Sequence, residues 1–242
     1  MSDANGGFAG IENFINLFQN RAFLTAIKNT FNFMAAAIPL NIIIPVIAGT
    51  LMFSVNSGSW LRAVFISPLV IPSACVAFFF QTLFMPNGFI NSFLGLETDW
   101  VQTGQSFWVA VGIYIWRNMG YNLVLTLAGL AGIPKGYYEW ASVEGMGKIR
   151  MFFNITLIYL TPSLFIMAVM SFINSFKVYR ELYMLAGSYP QEKIYMLQHY
   201  MNNQFSSLNY QNLTAASFVV TSVISIAVVI FFLISRKQEL GE

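Results

Sequence analysis

Four long stretches of the chain carry no charged residue: Asn29 to Leu61, Ala63 to Leu96, Met151 to Phe176 and Ile194 to Ser235. Each is long enough for a helix across a hydrocarbon core of about 30 Å, which takes roughly 20 residues. A fifth apolar region, Phe107 to Ala131, is interrupted only by Arg117. It makes one more span if that charge is accommodated inside a bundle. The pattern predicts an all-α, polytopic transmembrane helical bundle. A single domain over 1–242 holds five spans at about 30–54, 61–84, 107–131, 156–176 and 213–234. The runs lack the dyad alternation of membrane barrel strands, so helices are the expected elements.

Turn-forming residues separate these runs. Ser57, Gly58 and Ser59 mark a tight first connection, Pro86, Asn87 and Gly88 a second, and Gly187 to Pro190 open the longest. Pro39 and Pro45 fall inside the first span and Pro68 and Pro72 inside the second. Each removes a backbone hydrogen bond and tends to kink its helix, although proline is in any case commoner in membrane helices than in soluble ones.

Composition sharpens the membrane reading. Hydrophobic residues make up 57% of the chain and charged ones 9%, against about 25% charged in an average soluble domain, so lipid covers much of the surface. A net charge of +2 does not suit a nucleic-acid binder, and the lone Cys75 and His199 exclude a disulfide framework and a Cys/His metal cluster. Cys75 reads as a buried small apolar side chain and His199 as an exposed loop residue. Asn212 opens a chance glycosylation pattern. Met1 to Gly10 lack a basic segment followed by an apolar stretch, so no secretory signal peptide is expected there. Basic residues barely orient the spans. Six lie on the side of Arg62, Lys135 to Arg150, Arg236 and Lys237, and five on the side of Arg21, Lys28, Lys177, Arg180 and Lys193.

One connecting segment has internal order, that from Ile133 to Leu157. Pro134 stands where helices begin, a short helix is expected to Val143, and Gly145 or Gly147 turns the chain, because glycine takes left-handed dihedrals without penalty. A second short helix then shows Ile149, Phe152, Phe153 and Thr156 to the bilayer or a partner while Lys148 and Arg150 stay wet. A phosphate-binding reading of Gly145-Met-Gly-Lys148 fails, since Ser142 replaces the first glycine and Ile149 the magnesium-binding hydroxyl.

This segment resembles the cytoplasmic loop, with its EAA motif, of permease subunits of binding-protein-dependent ATP-binding-cassette importers. Glu139, Ala141, Gly145, Phe152, Ile155, Thr156, Leu157 and Pro162 match the motif without a gap, and Glu144 stands where Asp is usual. Trp140, Met146 and Ile158 depart from it. The segments Gly10 to Phe18, Phe65 to Pro68 with Pro72, Trp116 to Asn122, Leu127 to Leu130 and Ser171 to Phe176 are similar to stretches of the sugar-transporting branch, the maltose- and glycerol-3-phosphate-type subunits. Such permeases typically have six helices and start in the cytoplasm. The resemblance therefore implies an amino terminus outside, and a leading helix that is lost by shortening, by a mis-assigned start or in a reduced variant.

The resemblance further implies a coupling loop at about 134–155, lodged in a groove on a separate ATPase subunit through Tyr138, Glu139, Trp140, Ala141, Glu144, Gly145, Met146 and Gly147. The chain is then a transport subunit and not an enzyme. It holds no cofactor and no metal, with ATP and magnesium on two partner ATPase subunits. Its other implied partners are a second homologous permease, an extracytoplasmic solute-binding protein, the lipid of a bacterial inner membrane and a small-molecule carbohydrate; no nucleic acid is expected. An amphipathic loop resting in the headgroup region is the plainer alternative.

Arg117 at mid-span would cost about 2.5 to 3.5 kcal/mol facing lipid, which directs it to the bundle interior or a water-filled cavity. Asn174, Lys177 and Arg180, three residues apart, share a helix face. With Trp116, Tyr121, Asn122 and Ser171 they are the candidates for the substrate path, although Arg180 with Glu181 also reads as an external charged pair. Converging cations would favour an anionic sugar or sugar phosphate; otherwise a neutral oligosaccharide is expected. The segment from Glu192 to Asn212 is expected to form a short helix near the outer mouth. A self-sufficient secondary transporter would need pseudo-symmetric repeats, which the sequence does not show, and an assembly-only membrane subunit is the remaining alternative.

Overall fold

Among the described residues the apolar runs are helical; the first runs unbroken through Pro39 and Pro45, while the second is interrupted around Pro68 and Pro72. The structure, a computed structural model, describes residues 11–55 and 58–239. Ser57 of the expected first turn and the signal-peptide reading of Met1 to Gly10 lie outside them. In chain order the α-helices are α1 (Glu12–Gln19), α2 (Arg21–Ser54), α3 (Ser59–Ile66), α4 (Ser73–Phe84), α5 (Phe89–Leu94), α6 (Ser106–Ala131), α7 (Lys135–Val143), α8 (Lys148–Met151), α9 (Leu157–Tyr159), α10 (Thr161–Ser175), α11 (Tyr179–Ala186), α12 (Leu197–Ser206) and α13 (Tyr210–Glu239). By length and composition, four segments among the described residues suffice to cross a membrane: Arg21–Ser54, Ser73–Leu94, Thr161–Ala186 and Tyr210–Ile230. The 26-residue α6 is long enough, but Arg117, Asn118 and Asn122 at its middle lower its hydropathy.

Three helices differ from the sequence pattern for identifiable reasons. The first predicted span starts at Arg21 rather than near 30, because the Asn20 side chain accepts from the amides of Ala22 and Phe23 at 3.0 and 3.3 Å and caps the helix. The second predicted span is not one helix. After α3 comes a 3₁₀ turn, Ser67–Leu69, and α4 resumes only at Ser73. Pro68 has no N–H for the Val64 carbonyl, and Ser67 Oγ donates to it instead at 2.9 Å. The fourth span enters through a π-turn, Phe152–Thr156, and continues past 176 through a 3₁₀ turn, Phe176–Val178, into α11.

The chain forms two compact units. In the unit of residues up to Ala35, Pro72–Ile113 and Phe176 onward, Leu17, Phe23 and Ala26 bury against Leu197, Tyr200, Ala215 and Ala216. Phe14 of α1 meets Phe218 of α13 edge to face, centroids 5.7 Å apart. Polar side chains of α2 pin the segment before α12. Asn29 donates to the Glu192 and Tyr195 carbonyls, and Thr30 Oγ1 accepts from the Leu197 amide at 2.9 Å. Asn91 closes the connection after α4, donating to the carbonyls of Met85, Pro86 and Thr98 while accepting from Trp100 Nε1 at 2.8 Å.

Two expectations fail in this unit. His199 is not exposed: it is fully buried, with Tyr179 edge-on at 4.7 Å, and its Nδ1 accepts from the Met196 amide at 3.1 Å to cap α12. Cys75 is exposed, because Val76, Ala77 and Phe80 take the packed face of α4.

In the unit of Ala36–Ile71 and Tyr114–Ser175, Val46, Leu130, Ile133, Leu160 and Met167 form the core. Ile43, Ile47 and Leu51 are exposed along one stripe of α2, as expected of a face turned to lipid. Gly120 lets α6 lie directly on the end of α3. A Cβ there would overlap the Phe65 carbonyl oxygen and sit 2.8 Å from Ile66 Cα.

Two outcomes are expected. Gly120→Ala should lower the melting temperature of the purified protein by roughly 2–10 °C, because overpacking costs about 1–3 kcal/mol. Gly112→Ala should not, since its Cβ would meet nothing within 4 Å. Burial pushes the His199 imidazole down to about 4, below the ordinary value near 6.5. Between those values the unfolded chain binds the extra proton, so stability should fall as pH drops from about 6.5 toward 4. Melting curves taken at about pH 7.5 and about pH 5, either side of the ordinary imidazole value, should differ less for His199→Gln than for the native protein.

Candidate functional site

The segment after α6 forms a compact projecting element. Pro134, extended at φ −61° and ψ 130°, precedes α7. At the far end the Met146 amide donates to the Ala141 carbonyl at 2.9 Å and the Gly145 amide to the Ser142 carbonyl at 3.1 Å, a Schellman closure. Gly145 sits at φ +76°, where a Cβ is strained. Gly147, at φ −70°, is ordinary backbone leading into α8. Of the two glycines expected to turn the chain, Gly145 does so.

One side of this element is fastened to the rest of its unit. Ala141 and Ile133 are buried, and Tyr138, Phe152 and Ile155 pack against the core around Val46 and Leu160. The Tyr138 hydroxyl and Thr156 Oγ1 share a hydrogen bond of 2.9 Å, which ties α7 to the π-turn. Met146 is half-buried. The other side is open: Trp140 is 69% exposed and Val143 87% exposed, and Glu139, Glu144, Lys148, Ile149 and Arg150 are exposed with them. Thr156, expected on the outward face, is buried. An apolar pair flanked by two carboxylates thus stands on a short, tethered helix.

The other expected site residues separate into groups. Asn122 and Ser171, each 1% exposed, meet where α2, α6 and α10 pack. Asn122 Nδ2 donates to the Asn41 carbonyl at 2.6 Å and to Ser171 Oγ at 3.2 Å. Asn41 Nδ2 also donates to Ser171 Oγ, at 3.0 Å, and the Tyr114 hydroxyl donates to the Ser171 carbonyl at 2.6 Å. Arg117 Nη1 donates to the Ile71 carbonyl at 3.1 Å, at the break before Pro72. Trp116, Arg117, Tyr121 and Asn174 are half-buried. Lys177 and Arg180 are exposed, whereas Glu181 is buried and accepts from Ser73 Oγ at 2.8 Å. The sequence reading missed Asn41 and Tyr114. A polar residue four positions before Pro45 was a usable signal for the first, and nothing in the pattern marked the second.

Comparison with known proteins adds a family, two relatives and two solved structures. Residues 41–239 match the family model described as binding-protein-dependent transport system inner membrane component. The chain is 30% identical over 186 residues to the probable ABC transporter permease protein YesP of Bacillus subtilis (strain 168), covering 73% of this chain and 60% of that protein. It is 28% identical over 239 residues to the sn-glycerol-3-phosphate transport system permease protein UgpA of Yersinia pestis, covering 95% of this chain and 81% of that one. Its fold superposes with a TM-score of 0.84 on a crystal structure of a bacterial ABC transporter involved in the import of the acidic polysaccharide alginate, at 22% identity over 95% of this chain and 84% of that chain. A bacterial alginate ABC transporter in complex with an alginate pentasaccharide-bound periplasmic protein gives 0.78 at 21% identity, over 95% and 82% of the two chains.

Proposed function

Since this chain belongs to the family of binding-protein-dependent transport system inner membrane components, we propose that it is a transmembrane permease subunit of an ATP-driven importer, forming half of a carbohydrate path. The projecting element around α7 carries this reading. Its Schellman turn and the Tyr138–Thr156 bond hold a short helix rigidly on the bundle while Trp140, Val143, Glu139 and Glu144 face outward. Large exposed apolar side chains beside carboxylates suit a partner groove. In this reading the element couples an ATPase subunit to the helices. Tyr138, Ala141 and Met146 fasten it, Gly145 turns it, Gly147 leads into α8, and the outward residues make the contact.

The proposed assembly places this subunit, multi-pass in an inner membrane, beside a second permease, with two ATPase subunits binding ATP and magnesium and an extracytoplasmic binding protein delivering the solute. The connection that carries α7 then faces the cytoplasm. A second reading concerns charge. The cargoes named for UgpA and for the alginate transporter are anionic, and Lys177 and Arg180 are exposed cations, which supports an acidic sugar or sugar phosphate.

In an importer assembled from this chain and its cognate partners, Glu139→Lys and Gly145→Pro should each cut ATP-coupled uptake by roughly tenfold or more. Proline cannot adopt the φ of +76° held by Gly145, and uptake surviving both changes would remove the coupling role. With Cys75→Ser clearing the exposed native thiol, Trp140→Cys should label from the cytosol and be protected when the ATPase subunits bind; labelling only from outside would reverse the orientation. If the cargo is anionic, Lys177→Gln with Arg180→Gln should slow its uptake and leave that of a neutral saccharide unchanged.

A further inference from the structure

Pro45 lies inside the continuous 34-residue α2 and has no N–H to give to the carbonyl four residues earlier. That carbonyl belongs to Asn41, which precedes the run Ile42-Ile43-Ile44. In an apolar setting without water, a backbone acceptor left alone is costly. Here it is met at 2.6 Å by the side-chain amide of Asn122 on α6.

We propose that Asn122 is a positioning residue that holds α2 in shape at Pro45 by supplying the donor proline lacks, and is not a contact for the transported solute. Both hydrogens of its amide are committed, one to the Asn41 carbonyl and one to Ser171 Oγ at 3.2 Å. Its side chain is 1% exposed. Ser171 Oγ takes a second donor from the Asn41 carboxamide at 3.0 Å, so this stretch of α2 is tied to α10 as well as to α6. Thr126 Oγ1, one turn along, donates to the Asn122 carbonyl at 2.8 Å.

This assignment concerns the chain's own helices and does not rest on the importer reading; its test needs neither partner nor cargo. The full-length protein in detergent micelles is measured as a double-mutant cycle of Asn122→Leu and Pro45→Ala. The Pro45→Ala change restores an amide to the Asn41 carbonyl, which then no longer depends on Asn122 for a donor. With Pro45 in place, Asn122→Leu should lower the melting temperature by roughly 5 °C. In the Pro45→Ala background the same change should lower it by less than half as much. An equal loss in both backgrounds, or none in the first, overturns the proposal.

A second readout reports the shape of α2 directly. Spin labels at Phe31→Cys and Leu51→Cys, in a Cys75→Ser chain, lie on exposed positions of α2 about 30 Å apart along the helix. Asn122→Leu should broaden their distance distribution, and Pro45→Ala, or Pro45→Leu if the alanine chain does not accumulate, should narrow it again. An unchanged distribution in Asn122→Leu with Pro45 present overturns the proposal whatever the fate of the proline variants. A side chain that merely fills space would not be relieved by an amide restored on another helix.

Discussion

A backbone carbonyl or amide that loses its helical partner in an apolar setting must find another, and the breaks in this bundle are organised around that constraint. Pro45 frees the Asn41 carbonyl and Asn122 answers it. Pro68 frees the Val64 carbonyl and the neighbouring Ser67 hydroxyl answers it. At the gap before Pro72 the Ile71 carbonyl is taken by Arg117. The start of α2 and the turn after α4 follow the same rule through Asn20 and Asn91. A large share of the polar side chains in the apolar segments are thus committed to backbone.

That commitment bears on how the site residues are read. Arg117 and Asn122 stand out in sequence as polar groups in an apolar span, which is also how a solute-contacting residue looks. Each donates to a backbone carbonyl, Arg117 to that of Ile71 and Asn122 to that of Asn41. The short helix α7 is fastened to its own unit through Tyr138 and Ala141.

Much of the architecture was legible because it depends on local chemistry. Uninterrupted apolar runs of membrane length have few alternatives to a helix. Pro134 before a helical pattern and Gly145 after it mark the ends of α7, and the glycine's φ of +76° is the conformation that makes glycine informative there. The break of the second span was half-visible: Pro68 and Pro72 signalled a kink, while at the full interruption Ser67 and Arg117 donate to the Val64 and Ile71 carbonyls and Gly120 leaves room for the end of α3.

The sequence by itself determined the membrane class, the helical segments and the position of the motif turn, because period, length and glycine dihedrals are properties of a few neighbouring residues. Only the tertiary structure decided which polar groups meet. The burial of His199 under Tyr179, the exposure of Cys75 and the joining of Asn41, Asn122 and Ser171 depend on residues far apart in the chain. Hydrophobic patterning is nearly silent on such pairings, since in lipid an apolar face has the same affinity for a neighbouring helix as for the bilayer, and helix contacts are selected by close packing and hydrogen bonds instead.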